Sequence, residues 1–358
     1  MADWFDARNI LAVRLDNAGD VIMLGPALRA VKEHLPQARI SLLASPAGAT
    51  AAELLPWVDQ VIVMRALWQA LEDPLFEPGR EWRMISELAG KDFDAALIFS
   101  SFSQTPQVPG YVCYLAGIPL RAGESKEFGG AVLSTCLTPA PDELHQVERN
   151  LRLVESLGFH ARQRQLTVAI SDAARAGARA HLIAAEIQPE EPYVVLHPGA
   201  SAQARRYPAA QMGRVAQILN RQGIPAIFTG TPKERPQVAA ALNEAPTAID
   251  LVGSTSFAEF AALVEGAAVV ICGNTLPLHL ADAVGTPVVG LYSGTDLESQ
   301  WQPRVTAHTL LRQPTPCAPC YLFDCPIGLP CLAIPPNDVA VAALALLEHR
   351  LNSHVVGH

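Results

Sequence analysis

Short apolar runs, each followed by a helical stretch, recur along the chain in two series and constrain its fold more than any other feature. In the first series, these runs occupy residues 10–15, 39–43, 60–64 and 95–99. In the second series, they occupy residues 193–197, 226–229, 248–252, 269–272 and 288–292. Strands that alternate with helices predict βαβ units and parallel sheets. The sequence therefore predicts an α/β protein with one sheet in each half.

An Ala-rich helical stretch from about residue 172 to residue 186 separates the two series. Because 358 residues exceed what one ordinary core holds, we predict two Rossmann-like domains, residues 1–168 and 169–358. Parallel sheets of this kind bind ligands at the carboxyl ends of their strands. We therefore expect the two sheets to face a central cleft that holds the substrates.

Charge and hydropathy exclude two classes of function. The net charge of −9 argues against general nucleic-acid binding, which needs clustered Lys and Arg. No apolar run approaches the roughly 20 residues of a membrane helix, and the first six residues lack the basic and apolar regions of a signal peptide. The expected location is the cytoplasm. Peripheral association with a membrane stays open.

Four motif groups follow one another along nearly the whole chain. They are RLDNAGDV at 14–21 with PALR at 26–29, HPGA at 197–200 with RRYP at 205–208, TLPLHLA at 275–281 with GTPVV at 285–289 and GTD at 294–296, and CAPC at 317–320 with later cysteines. In this order and spacing they resemble glycosyltransferase family 9, the ADP-heptose:lipopolysaccharide heptosyltransferases.

The resemblance implies the GT-B fold, with an N-terminal acceptor-binding domain and a C-terminal domain that binds the nucleotide-sugar donor. It also implies inverting transfer of heptose from ADP-heptose to a lipopolysaccharide-core or related saccharide acceptor, which can be lipid-linked. No cofactor is implied for catalysis.

Such a reaction requires a base. Transfer with inversion occurs in a single displacement, in which the attacking acceptor hydroxyl must lose its proton. The resemblance places this base at Asp20, in the turn between the first strand and its helix. Asp16 lies in the same loop and is the rival carboxylate. The structural alternative is that Asp20 only caps the helix, a common use of Asp at such turns.

The donor site is predicted in the second half. Arg205 matches the family's phosphate-binding cation and would stabilise the charge of the leaving diphosphate, and the small Ser201 lets the backbone approach a ligand. Arg206 is the weaker candidate, and both arginines could instead be solvated surface residues. Thr275 opens a helix whose N-terminal N–H groups suit phosphate, and His279 lies about one turn further, where a buried structural histidine is the alternative.

Two residues of this helix start depart from the family pattern. Asn274 stands where the family has Asp, which removes a charge, and Leu276 stands where glycine allows close backbone approach. These departures leave the donor sugar open. Glu234 is predicted to accept from the ribose hydroxyls or else to begin a helix, and Asp296 to contact the donor sugar or else to cap a loop.

Four cysteines near the C-terminus, Cys317, Cys320, Cys325 and Cys331, predict a structural zinc site. A Cys-x2-Cys pair is half of many zinc sites, and four thiolates complete a tetrahedron. The alternative is that these thiols are free or transiently oxidised.

Three alternatives to heptosyl transfer can be compared with the residues present. A related transferase with a different donor or acceptor fits Asn274 and Leu276, and a nucleotide-sugar-binding protein without turnover fits the fold. The presence of both Asp20 and Arg205 argues against a mere binder. A NAD-dependent dehydrogenase lacks support because no Gly-x-Gly-x-x-Gly turn follows a predicted strand.

Overall fold

The chain forms two compact units, Met1–Thr167 and Val168–His358. A computed structural model describes residues 3–70, 75–188 and 190–355, and the side chains up to residue 350. Each unit is described here by itself.

A parallel sheet of six strands forms the centre of the first unit, in the order β3-β2-β1-β4-β5-β6. The strands are Asn9–Arg14 (β1), Arg39–Ala44 (β2), Gln60–Val63 (β3), Ala95–Ile98 (β4), Leu120–Glu124 (β5) and Thr135–Leu137 (β6). The helices are Ala18–Ile22 (α1), Gly25–His34 (α2), Pro46–Ala49 (α3), Pro78–Ala89 (α4), Gln107–Leu115 (α5) and Gln146–Glu155 (α6). The central strands β1 and β4 are apolar and almost wholly buried, as expected for a sheet covered on both faces.

The second unit contains another parallel six-stranded sheet, in the order β12-β11-β10-β7-β8-β9. Its strands are Val194–His197 (β7), Ala226–Phe228 (β8), Ile249–Asp250 (β9), Val269–Gly273 (β10), Val288–Leu291 (β11) and His308–Leu311 (β12). Its helices are Asp172–Ala184 (α7), Ala209–Arg221 (α8), Arg235–Glu244 (α9), Phe257–Gly266 (α10), Leu276–Val284 (α11), Glu298–Trp301 (α12) and Pro336–Val355 (α13). The prediction of an α/β fold with a parallel sheet in each half is confirmed.

Both sheets have the same topology, because the chain begins at a central strand, builds outward on one side and then returns to build on the other. The strand order reverses between β1 and β4 in the first unit and between β7 and β10 in the second. At such a switch point the loops leaving two neighbouring strands diverge and open a crevice for ligands. The loops after β1, β7 and β10 hold Asp20, Arg205 and Thr275, whereas Glu234 follows β8 and Asp296 follows β11.

The helical spacing of Leu24, Leu28 and Val31 predicts one helix over residues 21–34, but the structure divides this segment into two helices. The first turn ends at Ile22, and a second helix begins at Gly25 with Pro26 in its first turn. Proline has no backbone N–H to donate, and its ring clashes with the carbonyl four residues earlier. The break makes α1 a short element that carries Asp20 at the end of β1.

Helix α13 completes the core of the second unit. Its residues Val339, Ala340 and Ala343 are buried in the same apolar cluster as the strand residues Leu196 and Ile271. In the part of the chain that the structure describes, no helix is both long and apolar enough to cross a membrane.

Candidate functional site

Two carboxylates in the first unit share one buried cation. Arg14, the last residue of β1, has no exposed surface, although the strand before it is apolar. Its Nε atom lies 2.8 Å from Oδ2 of Asp16, and its Nη2 atom lies 2.8 Å from Oδ1 of Asp20. The side chains of Asp16 and Asp20 keep 15% and 16% of their surface exposed. The rival carboxylates of the sequence analysis are thus held side by side, and both can be reached from solvent.

Residues of the loop after β4 form hydrogen bonds with Arg14 and Asp16. Arg14 donates from Nη2 to the Ser101 hydroxyl at 2.9 Å. Gln104 donates from Nε2 to Oδ1 of Asp16 at 2.5 Å, and its Oε1 accepts from the Ser101 backbone at 2.9 Å. These bonds join two loops that are separated by more than 80 residues. The carboxylates are therefore positioned by both strands of the switch point.

The two carboxylates differ in their electrostatic surroundings. Burial raises the pKa of Asp16, and the negative charge of Asp20 acts in the same direction, against the opposing effects of Arg14 and Gln104. Asp20 also accepts a 3.2 Å bond from the backbone N–H of Asn17 at the start of α1. The capping role weighed for Asp20 therefore exists, and it leaves the carboxylate at the loop surface.

In the second unit, the loops after β7 and β11 bring Arg205 and Asp296 together. Arg205 Nη2 lies 2.9 Å from both carboxylate oxygens of Asp296. Arg205 also donates from Nε to the Thr295 hydroxyl at 3.1 Å, and that hydroxyl donates to Asp296 at 2.7 Å. Asp296 is almost fully buried, whereas Arg205 keeps 28% of its side chain exposed. Thr295 and Asp296 therefore fix the orientation of the arginine, and part of its guanidinium group stays accessible to a ligand.

The N-terminus of α11 lies beside this group. Thr275 is the N-cap residue of α11, and its side chain makes no capping bond. Its hydroxyl is buried and has no hydrogen-bond partner among the described residues, and the same holds for the Tyr292 hydroxyl. A Cβ added to Gly273, at the end of β10, would lie 3.0 Å from the Arg205 carbonyl, so that the two loops are in close contact. Orphaned buried hydroxyls at a helix N-terminus suit an anionic ligand that accepts hydrogen bonds.

The two residues that depart from the family pattern flank Thr275. Asn274 is buried with 7% of its surface exposed. Leu276 is half-buried and is the first residue of α11. Its side chain therefore stands at the helix start, where the family pattern has none.

His279 is buried inside the first turns of α11. Burial lowers its pKa to about 4, although the neighbouring Asp282 favours the charged form. The imidazole is therefore neutral near pH 7. Asp282 itself accepts from three successive backbone N–H groups, those of residues 304, 305 and 306, at 2.8–3.1 Å. Asp282 thus anchors the segment that leads to β12.

Glu234 forms a turn with the residue three positions before it. Its carboxylate accepts from the Thr231 backbone N–H at 2.6 Å and from the Thr231 hydroxyl at 2.9 Å. His197 Nε2 lies 3.9 Å from the same carboxylate, and burial lowers the pKa of this histidine. Both roles considered for Glu234 remain compatible with this position.

In the loop after β7, Ser201 is exposed. Arg206 donates from Nε to the Ala200 carbonyl, a bond that stabilises this loop.

The four C-terminal cysteines are not gathered into a ligand set. Cys317 is exposed and lies 3.5 Å from the Thr315 hydroxyl, whereas Cys331 is buried in the apolar core. Cys325 accepts a bond from the Leu329 backbone at 3.3 Å. Among the described residues, no group of three or more His, Cys, Asp and Glu is arranged to hold a metal ion. The thiols as placed do not fit a tetrahedral zinc site.

Several residues of these sites were not predicted from the sequence. They are Ser101 and Gln104 in the first unit, and Thr295, Tyr292 and Asp282 in the second. Arg14 offered one signal, because a charged residue that ends a buried apolar strand needs partners in the fold.

Comparisons with known proteins show which family this chain is similar to. A family model described as glycosyltransferase family 9 (heptosyltransferase) matches residues 82–329. Lipopolysaccharide heptosyltransferase 2 of Salmonella typhimurium is 24% identical over 299 residues, which cover 79% of this chain and 82% of that protein. Lipopolysaccharide heptosyltransferase 3 of Escherichia coli is 29% identical over 163 residues, which cover 44% of this chain and 46% of that protein, less than half its length.

Solved structures match over nearly the whole chain. A family 9 glycosyl transferase from Veillonella parvula DSM 2008 has a TM-score of 0.79 at 18% identity, covering 97% of this chain and 99% of that one. The Escherichia coli heptosyltransferase WaaC, solved with ADP, has a TM-score of 0.69 at 18% identity and covers 94% of this chain and 99% of that one. These likenesses confirm the GT-B fold predicted from the motifs.

Proposed function

The chain belongs to glycosyltransferase family 9, and we propose that it transfers heptose from ADP-heptose to a saccharide acceptor with inversion of configuration. The observation that carries the proposal is the group at the switch point of the second unit. There the cation of Arg205, the N-terminus of α11 and the orphaned hydroxyl of Thr275 lie at the ends of neighbouring strands. A diphosphate group needs fixed positive charge and unpaired hydrogen-bond donors of this kind.

The nucleotide is assigned to the second unit on this basis, and the acceptor to the first. WaaC, a structural neighbour, has been solved with ADP, which supports an adenine nucleotide as the donor group here. In this proposal, Arg205 and the N–H groups of α11 contact the phosphates, and Asn274, Leu276 and Asp296 lie toward the sugar. His279 is neutral at pH 7, so that its part in donor binding would not come from positive charge.

The proposed reaction is one displacement at the anomeric carbon. The acceptor hydroxyl oxygen forms the new bond to that carbon as its proton passes to the Asp20 carboxylate. The bond between the anomeric carbon and the phosphate oxygen breaks at the same time, and ADP leaves with the additional negative charge. Arg205 stabilises this charge, because a fixed cation acts most strongly where charge develops. Arg14 holds the Asp20 carboxylate in place through an ion pair, and Asp16 pairs with the same guanidinium group.

Two alternatives are kept, and the residues at the start of α11 favour the first of them. The side chain of Leu276 at the helix start, together with the loss of a charge at Asn274, favours a donor that differs from ADP-heptose in its sugar. A nucleotide-sugar-binding protein without turnover would keep Arg205 and would not use Asp20.

The cytoplasm, where nucleotide sugars are made, is the proposed location, and peripheral membrane association is compatible with a lipid-linked acceptor.

Calorimetry and turnover together test the proposal. ADP-heptose, ADP-glucose and UDP-glucose are each titrated into the protein, and ADP release is followed with core oligosaccharide as the acceptor. We expect ADP-heptose to bind most tightly and to be consumed only when acceptor is present. Tight binding without turnover on any acceptor would favour the binding protein, and preference for another sugar would favour the different donor.

A further inference from the structure

A cavity of 280 Å³ opens in the first unit at the same switch point as Asp16 and Asp20. Its buried apolar lining includes Val13, Leu15, Ile98 and Phe99, at the carboxyl ends of β1 and β4. Trp68 and Val108 of α5 also line the cavity. A volume slightly below the usual range of about 300–1,000 Å³ for small-molecule sites suits one small ring rather than an extended chain.

The polar residues of the lining come from two segments, Gln69 beside Trp68 and a run after β4. Ser100, Ser103, Gln104 and Thr105 follow β4 in sequence and line the cavity together. Gln104 lies between the cavity and the carboxylates, because its side-chain amide donates to Asp16 at 2.5 Å. A ligand in the cavity therefore lies against the residue that orients the Asp16 carboxylate, next to the proposed base.

Charge is absent from the lining, as far as the described residues show. Gln104 of the lining is hydrogen-bonded to Asp16. Asp16 belongs to the set of Arg14, Asp16 and Asp20, which has one cation and two carboxylates. Lys126, which lies over the Phe102 ring of the same loop, is paired with Asp142 at 2.5 Å. An anionic group in the cavity would lose its hydration without gaining a cation, and would also face excess negative charge.

We infer that this cavity binds an uncharged sugar ring of the acceptor, with the apolar face of the ring on Trp68 and its hydroxyl groups on the polar side chains after β4. A pyranose combines a C–H face with a rim of hydroxyls, which matches a lining that contains a tryptophan, other apolar side chains, hydroxyls and amides but no charge. Only the acceptor role of the ring rests on the proposed function. Binding of neutral sugar follows from the cavity alone.

Ligand-observed NMR titrations without any donor test this inference. The probes are methyl glucopyranoside and methyl heptopyranoside, their 6-phosphate and 7-phosphate derivatives, and methyl glucuronide. We expect at least one neutral glycoside to bind at least fivefold more tightly than its phosphorylated or carboxylated counterpart. Trp68→Ala should weaken that binding at least fivefold, whereas Trp82→Ala, an exposed tryptophan on α4 outside the cavity, should leave it unchanged.

A second variant keeps the test informative if Trp68→Ala fails to fold. Ser103 is exposed at the rim, so that Ser103→Lys places a cation there without disturbing the core. This variant should bind the sugar phosphate at least fivefold more tightly than the wild type does. Equal or tighter binding of the anionic glycosides by the wild type would overturn the inference, as would neutral-sugar binding that is indifferent to both variants.

Failure of the proposed function would be distinguishable from failure of this inference. The titrations contain no nucleotide sugar, so that absence of heptose transfer does not affect them. Heptose transfer to an acceptor with a charged terminal sugar, in a protein that binds no neutral glycoside, would remove the neutral-sugar site and leave the transferase intact.

Discussion

Arg205 and Asp296 lie 91 residues apart in the sequence and 2.9 Å apart in the second unit, where the carboxylate is almost fully buried. A buried carboxylate with one cation holds that cation in place, because leaving the carboxylate unpaired would cost several kcal/mol. Arg205 is thus prepared before any ligand arrives, and a bound diphosphate competes with Asp296 for its charge. The first prediction follows from this pairing.

Arg205→Ala should raise the dissociation constant of ADP about 10- to 150-fold, the equivalent of one or two charge-assisted hydrogen bonds. Isothermal titration calorimetry with ADP measures the effect. Arg206→Ala is the matched control, since that side chain bonds to the Ala200 carbonyl, and it should change the affinity less than threefold. Unchanged ADP affinity in Arg205→Ala would place the phosphates elsewhere.

Asp20→Asn should lower kcat about 10²- to 10⁴-fold, because general bases contribute rate factors of this size. ADP-heptose affinity should stay within a few-fold, since the proposed phosphate contacts lie in the second unit. Asp16→Asn should mainly reduce stability, because it removes an ion pair with the buried Arg14. A larger loss of kcat at Asp16 than at Asp20 would transfer the role of base to Asp16.

Thr275→Val should weaken ADP binding without lowering the stability of the protein. The Thr275 hydroxyl is buried and unpartnered among the described residues, so that valine removes no protein hydrogen bond while keeping the shape. Thermal unfolding without ligand should give an equal or higher Tm, and calorimetry should show a severalfold higher Kd for ADP. Loss of stability with unchanged ADP affinity would contradict a ligand role for this hydroxyl.

His279 should make the protein less stable in acid. Its pKa is lowered from 6.5 to about 4 by burial, so that below pH 6.5 the unfolded chain takes up a proton that the folded protein refuses. The free energy of unfolding should therefore fall as the pH drops from 6.5 toward 4, by as much as about 3 kcal/mol from this group. Urea unfolding at pH 7 and pH 4.5 measures the change.

The matched variant for this measurement is His279→Gln, which cannot take up the proton. The variant should lose less stability than the wild type between the two pH values, even if it is less stable at pH 7. His197, whose pKa is also lowered by burial, titrates in both proteins and cancels in the comparison. Equal losses in the two proteins would show that His279 is not buried as described.

Local sequence patterns located the strands that are apolar runs, the edge strand β3 included, and missed β5, β6 and β12. Residues 10–15 and 269–272 are apolar because both faces of the sheet are covered there, and β1 and β10 were located to within one residue. Strand β5 was missed because Arg121 and Glu124 interrupt its apolar pattern. Arg121 bonds to nearby backbone carbonyls, and Glu124 pairs with Arg149. Tertiary partners, which no local pattern reveals, allow these charges to be buried.

The candidate site was predictable where one loop carries the chemistry. Asp20, Arg205 and Thr275 each follow a strand predicted from its apolar run, and all three lie at switch points. The partners that orient them come from distant segments, as Gln104 does for Asp16 across 88 residues. Such pairings depend on strand order, which the sequence of a single loop does not contain. The four cysteines show the converse, since close spacing in sequence did not bring their thiols together.

The clamp of Arg14 on Asp16 and Asp20 makes these three positions interdependent. A lysine at position 14 has one nitrogen and could not span both carboxylates as the planar guanidinium does. Without the arginine, no cation would offset the repulsion between the two neighbouring carboxylates. Substitutions within the trio should therefore combine non-additively in double-mutant cycles. In an alignment of relatives, a change at one of the three positions should be accompanied by a compensating change at another.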